Sequence, residues 1–377
     1  MRSERSLKSG WADSSVMEAR LHLGPEKTGT SFLQCLCVGN RELLARNGVH
    51  FPVGTSYDER CMQKGRISAG NGRVLARLLE ADDWDGVQGW LEKSVAAARE
   101  RQCTELLISS EQLLAPLARP RGFKRLVEVL RSCGVEAVST LLILRDPVSQ
   151  LLSLYKHRAK GGRAGRIHEW VEAGYLLPQH LASLRLQIDT IDALVLVRAY
   201  TRQPGGLEDI FFRDWLDLKE PLRAKDTEVN PSLSLSELEL VRRMNARRPE
   251  LVPFLNERLS TVPRTEKVQG SALEAHARAV AENAVWQHRD EWQHWNELLP
   301  EGERLSIPRN APEIPEWPSE LGFSDRQLEE LAGFIAETSR LRFLARVVWR
   351  ARVRPWLGRV RRRLMGERHS GARFKEG

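Results

Sequence analysis

One stretch fixes the path of this chain before any other: Leu21-His22-Leu23-Gly24-Pro25-Glu26-Lys27-Thr28-Gly29-Thr30-Ser31-Phe32-Leu33-Gln34. A short apolar run breaks at Gly24-Pro25 and resumes after Gly29 with apolar residues at helical spacing, so the segment reads as strand, loop and helix start. The first amides of a helix lack intrahelical acceptors and lie at the positive end of its macrodipole, which makes that end a receptor for an oxyanion. Gly24 and Gly29 let the backbone close round such an anion, Lys27 adds a mobile cation, and Thr28, Thr30 and Ser31 add hydroxyls. Phosphate is the expected occupant. A strand-to-helix turn with no ligand is the bland alternative, since isolated Gly-rich loops are common.

The ATP-type signature G-x-x-x-x-G-K-[ST] is absent, because Lys27 precedes Gly29 by two positions. The order Gly-Pro-x-Lys-Thr-Gly-Thr-Ser, followed by Phe-Leu-Gln, instead resembles the 5′-phosphosulfate loop of sulfotransferases that use 3′-phosphoadenosine 5′-phosphosulfate (PAPS), in particular their carbohydrate-modifying branch. A second stretch carries the same resemblance. The strongest strand pattern in the chain, Val138 to Leu144, ends in Arg145-Asp146-Pro147, with Pro147 suited to a first helical turn and Ser153 about two turns further on. Strand, Arg-Asp-Pro and helix Ser are similar to the 3′-phosphate site of that family. The resemblance covers most of residues 18–340, with its specific motifs confined to 22–34 and 144–155. It implies a P-loop-type fold and sulfuryl transfer from PAPS to a hydroxyl or amine of a carbohydrate or glycolipid acceptor, with no obligatory metal. Arg145 is then the charge partner and Ser153 the hydrogen-bond donor of the 3′-phosphate, residues Thr28 to Ser31 hold the 5′-phosphate, and Lys27 neutralises charge on the leaving oxygen. Two departures stand out. Ser31 replaces the commoner Thr but keeps the hydroxyl, and Glu26 puts a carboxylate beside Lys27, where it is expected to point away from an anionic donor.

Glu105 to Ser109 reads as a buried parallel strand with Ser110-Glu111 at its carboxyl end, the end where open α/β sheets bind ligands. Glu111 is therefore the candidate general base; the competing role is a helix N-terminal or solvated loop acid. The first helix is expected to run on to Asn47-Gly48, residues 53–72 to form a loop, and Lys156 to Arg166 a solvated basic loop or an anion grip. Further strands are expected at 48–52 and 194–200, and helices at 73–80, 84–101, 122–132 and 207–218. From about 235 to 338 the pattern is mostly helical. One long helix near 271–299 carries Trp286, Trp292 and Trp295, with core packing the default role and stacking on adenine or a sugar face the alternative, while His276, His288 and His294 lack a metal-ligand spacing.

Charge is unevenly placed. Thirteen Lys and Arg against two Glu give residues 340–377 a net +11, and taking that from the total of +8 leaves residues 1–339 at −3. An acidic body makes nucleic acid an unlikely partner. The basic tail, 341–377, alternates Leu341, Leu344 and Val348 with arginines as an amphipathic helix does, so it either packs on the protein or lies on an anionic membrane. Five cysteines with no C-x-x-C pair read as reduced thiols, and no apolar run approaches the roughly 18 residues of a membrane span. The expectation is a cytoplasmic protein, peripheral on the inner membrane face through its tail. Its fold class is α/β, a doubly wound, mainly parallel sheet with a C-terminal helical portion over the ligand edge, spanning 17–340 after a disordered 1–16. Two rivals remain: a P-loop kinase, which needs a magnesium carboxylate at Glu111 or Asp146, and a non-catalytic nucleotide-fold adaptor.

Overall fold

The computed structural model describes residues 16–63, 70–161, 164–222 and 233–338. The basic tail and the N-terminal segment 1–15 lie outside the described residues, as do Gly162 and Arg163 of the basic run. In chain order the first elements are β1 (Glu18–His22), α1 (Thr30–Gly39), α2 (Arg41–Arg46), β2 (Val49–His50), α3 (Ser56–Gln63), α4 (Arg73–Glu80) and α5 (Trp84–Glu100). They are followed by β3 (Glu105–Ser109), α6 (Leu114–Leu117), α7 (Gly122–Ser132), β4 (Ala137–Leu144), α8 (Pro147–Lys160) and, after further helices, β5 (Leu194–Ala199). The fold is α/β.

All five strands pair in parallel in the order β2-β3-β1-β4-β5. The central strand β1 is flanked by β3 and β4, with His22 level with Ser109 on one side and with Leu141 on the other. Chain order reverses about β1, the arrangement that opens a crevice beyond the carboxyl ends of the strands. β4 is buried along almost its whole length, as a strand covered on both faces must be, and its sequence is accordingly a near-continuous apolar run. On one side the sheet buries Leu33, Leu36 and Cys37 of α1 together with Leu107, Leu141 and the aromatic residues Phe211, Phe212 and Trp215. Those aromatics sit on a π-helical turn, Asp209–Trp215, so the helix expected over 207–218 is mostly this wider turn.

The chain divides into two compact units. Of the described residues, the first takes those up to 154, 171–222 and 280–313 and holds the sheet; the second takes those in 155–170, 233–279 and 314–338. Within the second, helix Leu235–Arg247 begins with a capping box. The Ser234 hydroxyl accepts the Glu237 amide at 3.2 Å while the Glu237 carboxylate accepts the Ser234 amide at 2.6 Å. The same carboxylate is fully buried and paired with Lys267 at 2.8 Å.

Four expectations need correction. The first helix stops at Gly39: the Asn40 amide and side chain both donate to the Leu36 carbonyl at 2.9 Å, and Asn40 leaves the helical region with φ −117° before α2 begins. The supposed loop over 53–72 contains α3, whose start is fixed by Thr55, which accepts the Asp58 amide at 3.1 Å. The long tryptophan helix breaks at His288 into Ala272–Gln287 and Arg289–Leu298, although Trp292 and Trp295 are core as expected. The basic run begins inside α8, and burial holds the Lys156 ammonium below its ordinary pKa, so this lysine is not a solvated loop cation. No described helix is long and apolar enough to cross a membrane.

Candidate functional site

Residues 23–29 connect β1 to α1 at the point where chain order reverses in the sheet. Lys27 and Gly29 both take positive φ, 72° and 84°. Thr28 between them does not, and backbone whose handedness alternates in this way curls so that its amides face one concave side. A positive φ is costly for lysine, and two side chains brace the turn. Arg145 donates to the Lys27 carbonyl at 3.1 Å, and Gln150 of α8 donates to the Glu26 carbonyl at 3.1 Å. Thr28 is buried and its hydroxyl donates to the Pro25 carbonyl at 2.7 Å, closing the loop on itself. Gly29 precedes α1 and supplies no side-chain cap, so the first amides of that helix are left for another acceptor.

Glycine is required here by space as well as by dihedral. A Cβ on Gly24 would lie 2.7 Å from Thr30 Oγ1, 3.0 Å from Thr28 Oγ1 and 3.0 Å from His22 Nε2. A Cβ on Gly29 would lie 2.6 Å from Leu207 Cδ1, with Tyr200 3.5 Å away. Thr30 is buried at the start of α1, and Ser31, the next residue, is half-buried.

Three charged groups meet at this loop. The Lys27 ammonium is held below its ordinary pKa chiefly by burial and secondarily by the Arg145 guanidinium, whereas Glu111 and then Glu26 pull it back up. Glu111 opens a short 3₁₀ turn, Glu111–Leu113, just past β3; Ser110 caps that turn by accepting the Gln112 amide at 3.2 Å. The Arg145 guanidinium carbon also lies over the Tyr200 ring, 5.2 Å from its centroid, a cation–π contact. Lys27, Glu111 and Arg145, which lie 84 and then 34 residues apart in the sequence, are thus gathered around one loop, with Gly24, Thr28, Gly29 and Thr30 forming it. Ser153 is half-buried on the second turn of α8. Arg198 is engaged elsewhere, in ion pairs with Glu303 at 2.6 Å and Asp214 at 2.9 Å.

Sequence reasoning missed the polar layer beneath the loop. His22 is fully buried, and burial pushes its imidazole pKa down to about 3, so it is neutral. Its Nδ1 lies 2.9 Å from Ser109 Oγ, and the Gln34 amide donates to both the carbonyl and the hydroxyl of Ser109 at 3.3 Å. Asn71 completes the layer by donating to the Leu107 carbonyl and accepting the Ser109 amide, each at 2.8 Å, as an added strand would. The available signal was a histidine and a glutamine inside otherwise apolar strand and helix patterns, which only a shared buried polar network accommodates.

The geometry defines a parallel α/β protein with an uncapped helix start, a braced loop of alternating handedness and a Lys–Glu–Arg group at the reversal point of its sheet. Compared with known proteins, the chain matches no family model, no curated protein and no solved structure at a significant level.

Proposed function

We propose that this chain is a P-loop-type sulfotransferase that moves the sulfuryl group of PAPS to a hydroxyl or amine of a carbohydrate or glycolipid. The observation that carries the reading is the meeting of Lys27, Glu111 and Arg145 at the 23–29 loop, since it joins the two motifs on which the resemblance rests. In this reading the amides of residues 28–31 and the hydroxyls of Thr30 and Ser31 hold the 5′-phosphate. Thr28 helps through its amide, because its own proton is engaged by Pro25. Arg145, over the Tyr200 ring, is the charge partner of the 3′-phosphate, joined by Ser153 from α8.

The acceptor oxygen or nitrogen attacks sulfur as the bond between sulfur and the bridging oxygen of the 5′-phosphate breaks. Glu111 takes the acceptor proton, and 3′,5′-bisphosphoadenosine departs with the bond electrons. Lys27, within electrostatic reach of both Glu111 and Arg145, meets the charge that grows on that bridging oxygen, a group placed in advance where charge develops. Asp146 accepts the Ser149 amide at 2.8 Å and so caps α8, a position that leaves it poorly suited to the magnesium site a kinase requires. The test is transfer of label from ³⁵S-PAPS to carbohydrate acceptors. Lys27→Ala is expected to lower turnover about 100- to 1000-fold with donor affinity much less changed, because the leaving-group charge exists only in the transition state. Near-normal turnover in that variant would refute the mechanism.

A further inference from the structure

His22 contributes nothing to the steps above, yet its placement is specific. The Gln34 side-chain amide is oriented by the Ser109 carbonyl, which can only accept, so the same NH₂ group also donates to Ser109 Oγ. The Ser109 hydroxyl has one proton to place, and the acceptor it meets among the described residues is His22 Nδ1 at 2.9 Å. Nδ1 is then an acceptor, and a neutral imidazole must carry its proton on Nε2. That Nε2 is fully buried and has no hydrogen-bond partner among the described residues. It lies 3.0 Å from the point where a Gly24 Cβ would sit, and Thr30 Oγ1 and Thr28 Oγ1 lie 2.7 and 3.0 Å from the same point. A buried N–H without an acceptor pays its desolvation with no bond in return, so such a donor calls for an occupant that supplies one.

We propose that His22 is a further positioning residue of the anion loop: its Nε2–H, locked by Ser109, donates upward to the oxygen layer formed by Thr30 and the bound oxyanion. With the Thr28 proton engaged by Pro25, the 3.5 Å contact between the Thr28 and Thr30 hydroxyls has Thr30 as its donor in the free protein. A bound oxyanion at the start of α1 receives His22 Nε2–H and offers the Thr30 proton a stronger acceptor than Thr28. The chain of donors then runs Gln34, Ser109, His22, ligand, with Thr30 as a second donor to the same anion. A tetrahedral phosphate or sulfate ester is the class of ligand it would take. The site is the one assigned above to the 5′-phosphate, so the proposal rests on that loop binding an oxyanion, whichever molecule carries it.

The test is imidazole ¹⁵N NMR of the full chain at pH 7, with the His22 signal assigned by its contact to Phe211, whose ring centroid lies 5.1 Å away. Inorganic pyrophosphate and 3′,5′-bisphosphoadenosine are titrated separately, with the Gly29 amide as a second reporter. The expected result is a proton on Nε2 in the free protein and a shift of Nε2–H with either ligand. A proton on Nδ1 would overturn the proposal. So would a stationary Nε2–H while the Gly29 amide moves, an outcome that leaves the nucleotide reading intact. Movement of both reporters with pyrophosphate and of neither with the nucleotide supports the His22 role and sinks the PAPS reading; if nothing moves, both fall. Variants add a second measure by calorimetry. His22→Asn keeps a group facing Ser109 but loses the distal donor, and should weaken pyrophosphate binding about 10- to 100-fold, whereas His22→Gln restores a donor at the Nε2 position and should stay within about threefold of the parent. Parental affinity in His22→Asn would overturn the assignment.

Discussion

Replacing Gly29 by alanine separates the two physical demands at the loop. The first is dihedral: at φ 84° a side chain costs about 1–2 kcal/mol. The second is contact, because the new Cβ would lie 2.6 Å from Leu207 Cδ1, and Leu207 is itself held among the buried residues Phe211, Phe212 and Ile210. Overpacking of this kind adds about 1–3 kcal/mol, so the total is about 2–5 kcal/mol. Gly205 is the internal control, since it has φ 77° and open space where its Cβ would go, and Gly205→Ala should cost the dihedral share alone. Both glycines belong to the first compact unit, so one denaturant transition reports on both. The expected order by urea unfolding is Gly29→Ala less stable than Gly205→Ala by about 1–3 kcal/mol, with Leu207→Val recovering part of the gap. Equal stability of the two variants would refute the claim that the loop is packed against Leu207.

Other perturbations address other parts of the molecule. Glu111→Gln should abolish turnover while leaving donor affinity intact, measured by label transfer and nucleotide calorimetry; unchanged turnover would move the base elsewhere. Burial, together with Glu105 and against the counter-pull of Arg20, raises the Glu18 pKa to about 7 from 4.5. The folded protein therefore binds more protons than the unfolded chain between those values, and stability should fall with rising pH by up to about 1.4 kcal/mol per unit, a slope that Glu18→Gln removes in urea titrations at pH 5 and 8. For the tail, flotation with anionic liposomes at low salt should retain the full chain and lose a form ending at Ser339; equal flotation of both would exclude a membrane role for residues 340–377.

The parts of this fold legible in the sequence are those governed by a single period. α4 and α7 were expected at their observed bounds, because Leu75, Leu79, Leu126 and Leu130 repeat on one helical face. β4 was legible because a strand buried on both faces is a plain apolar run. Breaks escaped where the backbone leaves helical dihedrals while the apolar period runs on, as at Asn40 and His288 with φ −117° and −114°. At the site, Lys27, Glu111 and Arg145 were each found from a motif or a strand end, but their meeting depends on strand order, which no local pattern encodes. His22, Ser109, Gln34 and Asn71 were not found, since each makes sense only in a network assembled from four separate segments.

Calorimetry of 3′,5′-bisphosphoadenosine against AMP tests the central claim most directly, because it needs no acceptor. With Arg145 hydrogen-bonded to the Lys27 carbonyl and over the Tyr200 ring, the account predicts affinity for the 3′-phosphorylated nucleotide about 100-fold above that for AMP, and loss of this preference in Arg145→Ala. Equal affinities for the two nucleotides in the parent protein would contradict it.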